Sequence, residues 1–295
     1  MVNLSFYEKS ALLALDSLSS EKMLPSKSAA VRSAEAGRML DELLGQKSLN
    51  SFTEKEVRDM IGRLADKVTR LFRKTIQGAE ELIRKDLEEK GVLDTVPDLV
   101  SYDSRNWSAG VMKEAYRAQF EAYTEICIDV RKKALQKGRL DEETFLILWL
   151  LREAGALYDI FGADEQLIVK HNAESYAVEN PVMKEVWDTG FRKESEFADS
   201  MIMAQDSSVI FPFMERRTSV FIHSIVVGYD PSERREHLTE ILRSHGHEVE
   251  TVNWQGQMLT RIDNQFYRIF PHAKKYGRTP LEGIRILPVY FKFDE

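Results

Sequence analysis

The chain of 295 residues contains a single cysteine, Cys127. One thiol excludes an internal disulfide and any zinc site built from several cysteines, and a reducing, cytoplasmic compartment is the simplest interpretation. Long apolar runs are also lacking. The longest, Phe145 to Leu151, is much shorter than the roughly 20 residues that cross a bilayer. The first residues have no basic segment ahead of their short apolar stretch, so we expect no secretory signal.

Motifs that carry chemistry are missing as well. The sequence has no G-x-S-x-G nucleophile elbow, no H-E-x-x-H zinc motif, no P-loop and no G-x-G-x-x-G fingerprint. His245-Gly246-His247 is spaced like a metal clip, but no carboxylate completes a ligand set, and Gly246 more simply ends a helix. The sequence therefore predicts no catalytic residue, no metal site and no cofactor.

Positive charge is scarce in the first two thirds of the chain. The formal net charge is -7, with 29 basic and 36 acidic residues in 1–205 and 12 of each in 206–295. An acidic surface repels phosphate, so we expect no nucleic-acid partner.

Helical periodicity dominates residues 1–205. A short hairpin is expected where Val92 and Leu93 face the stretch Asp98 to Asp103, with Pro97 at its turn or edge. The predicted helices are Leu4–Leu15, Ser26–Leu44, a helix from the caps Ser51 and Thr53 that continues or kinks near Gly78 before running to Lys90, Val111–Gln136, Glu142–Phe161, and two segments separated by Pro181, around Glu165–Val178 and Val182–Met203.

Residues 206–295 have a different pattern, since β-branched and aromatic residues alternate in several runs. They predict a small α+β module, approximately βαβββ. Its elements are the strands Thr218–Val227, Glu248–Trp254, Met258–Phe270 and Ile284–Phe293, with a helix over Glu233–Ser244. Open apolar strand edges must be covered by the helical domain or by a second copy. We therefore expect this module to pack on the helical domain and to support a homo-oligomer.

Several segments between Leu4 and Met203 resemble the Golgi phosphoprotein 3 family. The resemblance is densest from Leu82 to Phe161 and is carried mainly by packing residues. The matching segments are the leucine run Leu12–Asp16, the Gly-x-Met-Leu-x-Glu-Leu helix at Gly37–Leu43, the helix-to-hairpin passage Leu87–Leu93, and the late helix Leu146–Phe161. The fold expected is mainly α: a helical bundle of the Golgi phosphoprotein type over residues 1–205, followed by the small α+β C-terminal module.

The resemblance also implies a lipid site, since eukaryotic members use a tryptophan and several arginines to hold the phosphate of phosphatidylinositol 4-phosphate. Those positions correspond here to Lys27, Ala36, Gln77 and Glu80, so the lipid-phosphate residues are largely not retained. Arginine suits this role because its planar fork meets phosphate with two hydrogen bonds. Nearby basic residues that would substitute are Lys27, Arg32, Arg38, Arg73, Lys74 and Arg84.

Together these features predict a non-enzymatic, cytoplasmic binding or adaptor protein. Its expected partners are an anionic lipid headgroup, reached peripherally at a membrane surface, or another protein. Two alternatives stay open: an enzyme or small-molecule-sensing protein with a site between the two domains, and a purely structural oligomer.

Overall fold

The computed structural model describes residues 2–45, 49–71, 73–102, 110, 112–191, 219–223, 230–254, 256–276 and 279–289. Within these ranges the protein is mainly helical and has a small antiparallel sheet towards the C-terminus, which confirms that part of the predicted fold class. The helices are α1 (Phe6–Leu15), α2 (Pro25–Leu44), α3 (Glu54–Thr69), α4 (Arg73–Glu89), α5 (Phe120–Leu135), α6 (Glu142–Ala154), the short α7 (Leu157–Ile160), α8 (Ala163–Glu179), α9 (Pro181–Asp188) and α10 (Pro231–Ser244). The strands are β1 (Leu93–Pro97), β2 (Glu114–Ala118), β3 (Val220–His223), β4 (Val249–Trp254), β5 (Gln257–Ile262), β6 (Gln265–Tyr276) and β7 (Thr279–Val289).

Helix α6 lies at the centre of the helical part. Every side chain from Phe145 to Leu151 is at most 2% exposed, and Trp149 donates its indole N–H to the carbonyl of Thr189 at 2.9 Å. Helices α1 and α2 pack directly against it. A Cβ at Gly37 would lie 2.7 Å from both Leu150 Cδ1 and Tyr7 Cβ, so only glycine permits this approach. The apolar run therefore predicts the centre of the bundle correctly. In the part of the chain that the structure describes, no helix is both long enough and apolar enough to cross a membrane.

Several predicted helix ends differ from those observed. The helix predicted over Glu142–Phe161 ends at Ala154, because Gly155 adopts the left-handed conformation (φ 67°) that closes a helix. The long helix that was expected to continue or kink near Gly78 is instead two helices, α3 and α4, with the break after Thr69. The end predicted at Met203 falls outside the described residues.

The hairpin forms with a different partner strand from the one predicted. β1 pairs in antiparallel register with β2, from Leu93 opposite Ala118 to Pro97 opposite Glu114. The stretch Leu99–Tyr102 is a 3-10 helix, and the helix predicted from Val111 begins only at Phe120. Both predictions were wrong because cross-strand pairing overrides the helix preference of the alanine and glutamate in β2.

The C-terminal sheet has the strand order β3-β7-β6-β5-β4, with every neighbouring pair antiparallel. The single strand predicted over Met258–Phe270 is two strands, because a tight turn at Asp263 and Asn264 separates β5 from β6. The described part of the module is therefore one helix and five strands rather than βαβββ.

The sheet packs on the helical part of the chain. Tyr102, with Leu99 and Val100, belongs to the same apolar cluster as the sheet and α10. The guanidinium of Arg261 lies 3.9 Å from the ring centre of Phe120, at the start of α5. The hairpin and its 3-10 segment thus form the junction between the two parts.

Candidate functional site

Lys27 is the first of the predicted lipid-phosphate residues, and the structure places it in the interior. It is only 1% exposed, and its ammonium lies 2.5 Å from Glu80 and 2.6 Å from the carbonyl of Ser20. The hydroxyl of Tyr116 donates to the same Glu80 at 2.6 Å. Breaking a buried pair leaves an uncompensated charge. Lys27 is therefore committed to Glu80 and is not available at the surface.

Two of the remaining candidates, Arg38 and Arg84, are held by carboxylates of their own helices. Arg38 makes a bidentate pair with Glu35 at 2.8 Å and also contacts Glu42, while Arg84 contacts Glu88 at 2.8 Å. The other three differ in placement: Arg32 is 6% exposed, Lys74 is exposed on α4, and Arg73 begins α4 with a side chain outside the described part. Lipid binding through this set stays a prediction, and the carboxylate partners argue against it.

A groove of about 380 Å³ lies between the first residues of the chain, α5 and α6. We call it the acidic groove. Its floor is apolar and is made by Leu4, Ile126, Val130 and Ile147, which are all buried. Its charged lining residues are one lysine and three carboxylates, namely Lys9, Glu125, Asp129 and Glu143.

Two of those carboxylates have cationic neighbours. Lys9 lies 2.5 Å from Glu143, and Lys133 lies 2.9 Å from Asp129. Glu125 is exposed at the rim. The groove thus combines an apolar floor with an excess of negative charge.

A second, smaller cavity of about 40 Å³ lies at the junction between the hairpin and the C-terminal sheet. We call it the junction cavity. It is lined by Asp16, Asp98 and Arg117 from the helical part and by His247 and Asp263 from the C-terminal part. This volume is enough for a few water molecules or one small polar group. The junction cavity therefore brings together titratable groups from two distant parts of the sequence.

Asp16 is the most completely buried of these groups. Its carboxylate accepts hydrogen bonds from Ala118 N (2.9 Å), Asn264 Nδ2 (2.8 Å), Gln265 Nε2 (3.0 Å) and Ser17 Oγ (3.1 Å). Burial raises the pKa of Asp16 in spite of these four donors. The following Ser17 has φ 64°, a left-handed conformation that is uncommon for serine, and also lines the cavity. Asp16 thus joins the end of α1 to β2 and to the β5–β6 turn.

Asp263 joins the same elements from the other side. It contacts His247 Nδ1 at 2.7 Å, Glu248 N at 3.1 Å and an Arg117 amino group at 3.3 Å. Arg117 also pairs with Asp94 at 2.8 Å. Burial alone would raise the pKa of Asp263, but the hydrogen bond and charge of His247, with Glu248 N and Arg117, together lower it.

His247 is 4% exposed, and its Nε2 is buried with no hydrogen-bond partner among the described residues. Because a carboxylate faces Nδ1, that nitrogen carries the proton. The rings of His245 and His247 both pack edge-on against Tyr102, with centroids 5.0 and 5.7 Å apart. Across the described ranges, no group of three or more metal-ligating side chains was found.

Sequence reasoning did not identify the junction cavity. His247 was considered as part of His-Gly-His. Asp263 lay within a predicted strand, however, and Asp16 was noted only as the residue that ends the leucine run. A signal was available in Asp263-Asn264, since Asp and Asn are the non-glycine residues that most readily adopt positive φ. Comparison of the chain with protein-family models, curated proteins and solved structures finds no match.

Proposed function

We propose that this protein is a non-enzymatic binding or adaptor protein whose acidic groove receives a basic, apolar segment of a partner protein. The observation that carries the proposal is the combination of an apolar floor with three carboxylates and one lysine in a groove of about 380 Å³. A pocket of this size is in the range used for ligand recognition.

The floor provides the affinity in this proposal. Burying one valine or leucine side chain of a partner contributes roughly 1.5–3 kcal/mol before the costs of association. Val2, which is 49% exposed, offers most of the apolar surface for such an anchor, above a floor that includes Leu4 and Ile126. Ile128, half-exposed on α5, extends apolar surface beyond the groove.

The rim provides the selectivity. Glu125, the rim carboxylate that has no ion pair among the described residues, favours lysine or arginine beside the apolar anchor and disfavours acidic segments. The same charge disfavours phosphate, so an anionic lipid headgroup is a poorer occupant than a basic peptide. We also propose a cytoplasmic location, since a chain with the single cysteine Cys127 cannot form an internal disulfide.

Fluorescence anisotropy with a labelled amphipathic peptide of leucine and lysine tests the proposal. We expect this peptide to bind, and to bind more weakly as salt increases, while the same peptide with glutamate in place of lysine does not bind. Glu125→Lys should weaken binding about fivefold, because reversing one rim charge changes the binding free energy by roughly 1 kcal/mol.

The matched control is Glu81→Lys, an equal charge change at an exposed position on α4. Equal weakening by the two substitutions would mean that only the net charge attracts the peptide, and the groove would lose its assignment. Failure of the leucine–lysine peptide to bind would also contradict the proposal.

A further inference from the structure

We propose that Glu143 is the carboxylate of the acidic groove that receives a lysine of the partner, and that Lys9 occupies this position in the free protein. The inference rests on the proposed function and deepens it, because it assigns a second basic contact in addition to Glu125. The partner segment then carries two basic residues around its apolar anchor. The observation behind the inference is the ion pair between Lys9 and Glu143 in the groove.

This ion pair joins two elements of the groove. Lys9 is on α1, Glu143 is in the first turn of α6, and both residues line the groove. The ammonium Nζ of Lys9 lies 2.5 Å from Oε1 of Glu143. A lysine of a partner would offer Glu143 the same charged hydrogen bond. Lys9 therefore marks where the ammonium of a partner would lie, and it competes with that ammonium for Glu143.

The pair is open to solvent, which makes it exchangeable. The side chains of Lys9 and Glu143 are 27% and 45% exposed. Neither has a second ion pair within the described part of the chain. Ion pairs with this exposure contribute a factor of only about two to five to an equilibrium constant. A lysine of a partner can therefore replace Lys9 at a small cost.

The other paired carboxylate of the groove is held more firmly. Asp129 pairs with Lys133 at 2.9 Å, and Lys133 also pairs with Asp141 at 3.0 Å. Because Asp141 caps α6, Lys133 connects α5 to the start of α6. Displacing Lys133 would break two ion pairs, whereas displacing Lys9 breaks one. Glu143 is thus the paired carboxylate of the groove whose cation is easier to replace.

Glu143 does not depend on Lys9 for its own position. It lies in the first turn of α6, where the helix dipole favours a carboxylate. The next two residues, Thr144 and Phe145, are buried and fix the start of this helix in the core. We therefore expect Lys9→Gln to leave α6 and the groove intact and to free the carboxylate of Glu143.

Fluorescence anisotropy with the full-length protein and the labelled leucine–lysine peptide tests this exchange. We expect Lys9→Gln to bind the peptide about three to five times more tightly than the wild-type protein, because Glu143 is already free when the peptide arrives. Lys85→Gln is the matched control. Lys85 is an exposed lysine on α4 that pairs with Glu89 at 3.6 Å, so this substitution removes the same charge. The control should change the affinity by less than about twofold, because exposed charges at a distance are screened by salt.

Glu143→Gln shows whether Lys9 acts through Glu143. In a protein that carries Glu143→Gln, adding Lys9→Gln should change the affinity no more than the control does. Equal tightening by Lys9→Gln with and without Glu143 would mean that Lys9 acts only through net charge, and this result would overturn the inference. Equal peptide affinity of the Lys9→Gln and Lys85→Gln proteins would overturn it as well.

The same experiment separates this inference from the proposed function. Peptide binding to the wild-type protein without the increase in Lys9→Gln removes the inference alone. Absence of peptide binding in the wild-type protein and in every variant contradicts the proposed function, and the inference that rests on it fails with it.

Discussion

Asp16→Ala is the substitution that most directly tests how the C-terminal sheet is attached to the helices. The carboxylate of Asp16 accepts from Ala118 N in β2 and from the side chains of Asn264 and Gln265 in the C-terminal sheet. These partners lie more than a hundred residues away in sequence. Removing the carboxylate therefore leaves donors from two elements without their acceptor.

The magnitude follows from counting the donors that lose a partner. A buried donor left unsatisfied costs roughly 1–3 kcal/mol. Ala118 N and Gln265 Nε2 lose the Asp16 carboxylate, while Asn264 Nδ2 keeps a bond to the carbonyl of Ala118 at 2.8 Å. Removal of a buried carboxylate also gives a gain, because burial disfavours its charged form. We expect a net loss of about 2–5 kcal/mol in the free energy of unfolding, a large part of the roughly 5–15 kcal/mol that stabilises a typical protein.

Urea unfolding followed by circular dichroism and by tryptophan fluorescence measures this loss. Asp129→Ala is the matched control, since it removes an exposed carboxylate paired with Lys133 and should cost no more than about 1 kcal/mol. A double-mutant cycle with Asn264→Ala should give a coupling of roughly 0.5–3 kcal/mol. If Asp16→Ala costs no more than the control and the cycle is additive, the junction hydrogen bonds do not hold the sheet in place.

Four further predictions follow from the described contacts. Because burial raises the pKa of Asp16, the folded state favours the protonated carboxyl, and the stability that this gives is complete below the unfolded pKa of about 3.9 and is lost as pH rises through the folded pKa. Asp16→Asn should abolish that decline, and the same pH dependence of urea unfolding in this variant as in the wild-type protein would contradict the prediction. Leu148→Ala, at a fully buried position of α6, should cost roughly 2–5 kcal/mol, which an unchanged melting temperature would refute. Co-sedimentation should show weak or no binding to vesicles containing phosphatidylinositol 4-phosphate, because Lys27 is buried against Glu80; selective, salt-sensitive binding lost in Arg38→Ala or Arg84→Ala would reverse that view. Light scattering should find the full chain oligomeric through an edge strand, β3 or β4, and a monomeric mass at every concentration would exclude this.

Local sequence signals predicted the bundle well where they were strong. The run Phe145 to Leu151 is apolar on every face of a helix, which only a central position can satisfy, and Asp141 caps that helix by accepting from Thr144 N at 2.8 Å. The end of the same helix was misplaced because Gly155 was treated as an ordinary position. Its positive φ is a backbone property, and glycine provides it without a visible change in periodicity.

Non-local pairing was beyond the reach of the sequence. The segment Glu114–Ala118 has a composition that favours a helix, yet it forms β2 because β1 lies beside it and pairs with it from Leu93 to Pro97. The junction cavity depends on the same kind of information, since Asp16 and Asn264 meet only after the sheet has packed on the hairpin. A single sequence shows that both residues are polar, but not that they are partners.

The residues behind the family resemblance have packing roles that the structure makes explicit. Gly37 is required because any side chain would collide with Leu150 and Tyr7, and Asp16 is required because both β2 and the β5–β6 turn donate to it. Such residues constrain the arrangement of helices and hairpin, whereas Lys27 and Glu80, where the resemblance predicted phosphate contacts, form a buried ion pair with each other. Packing residues therefore constrain the fold without determining which ligand a groove or cavity on that fold takes.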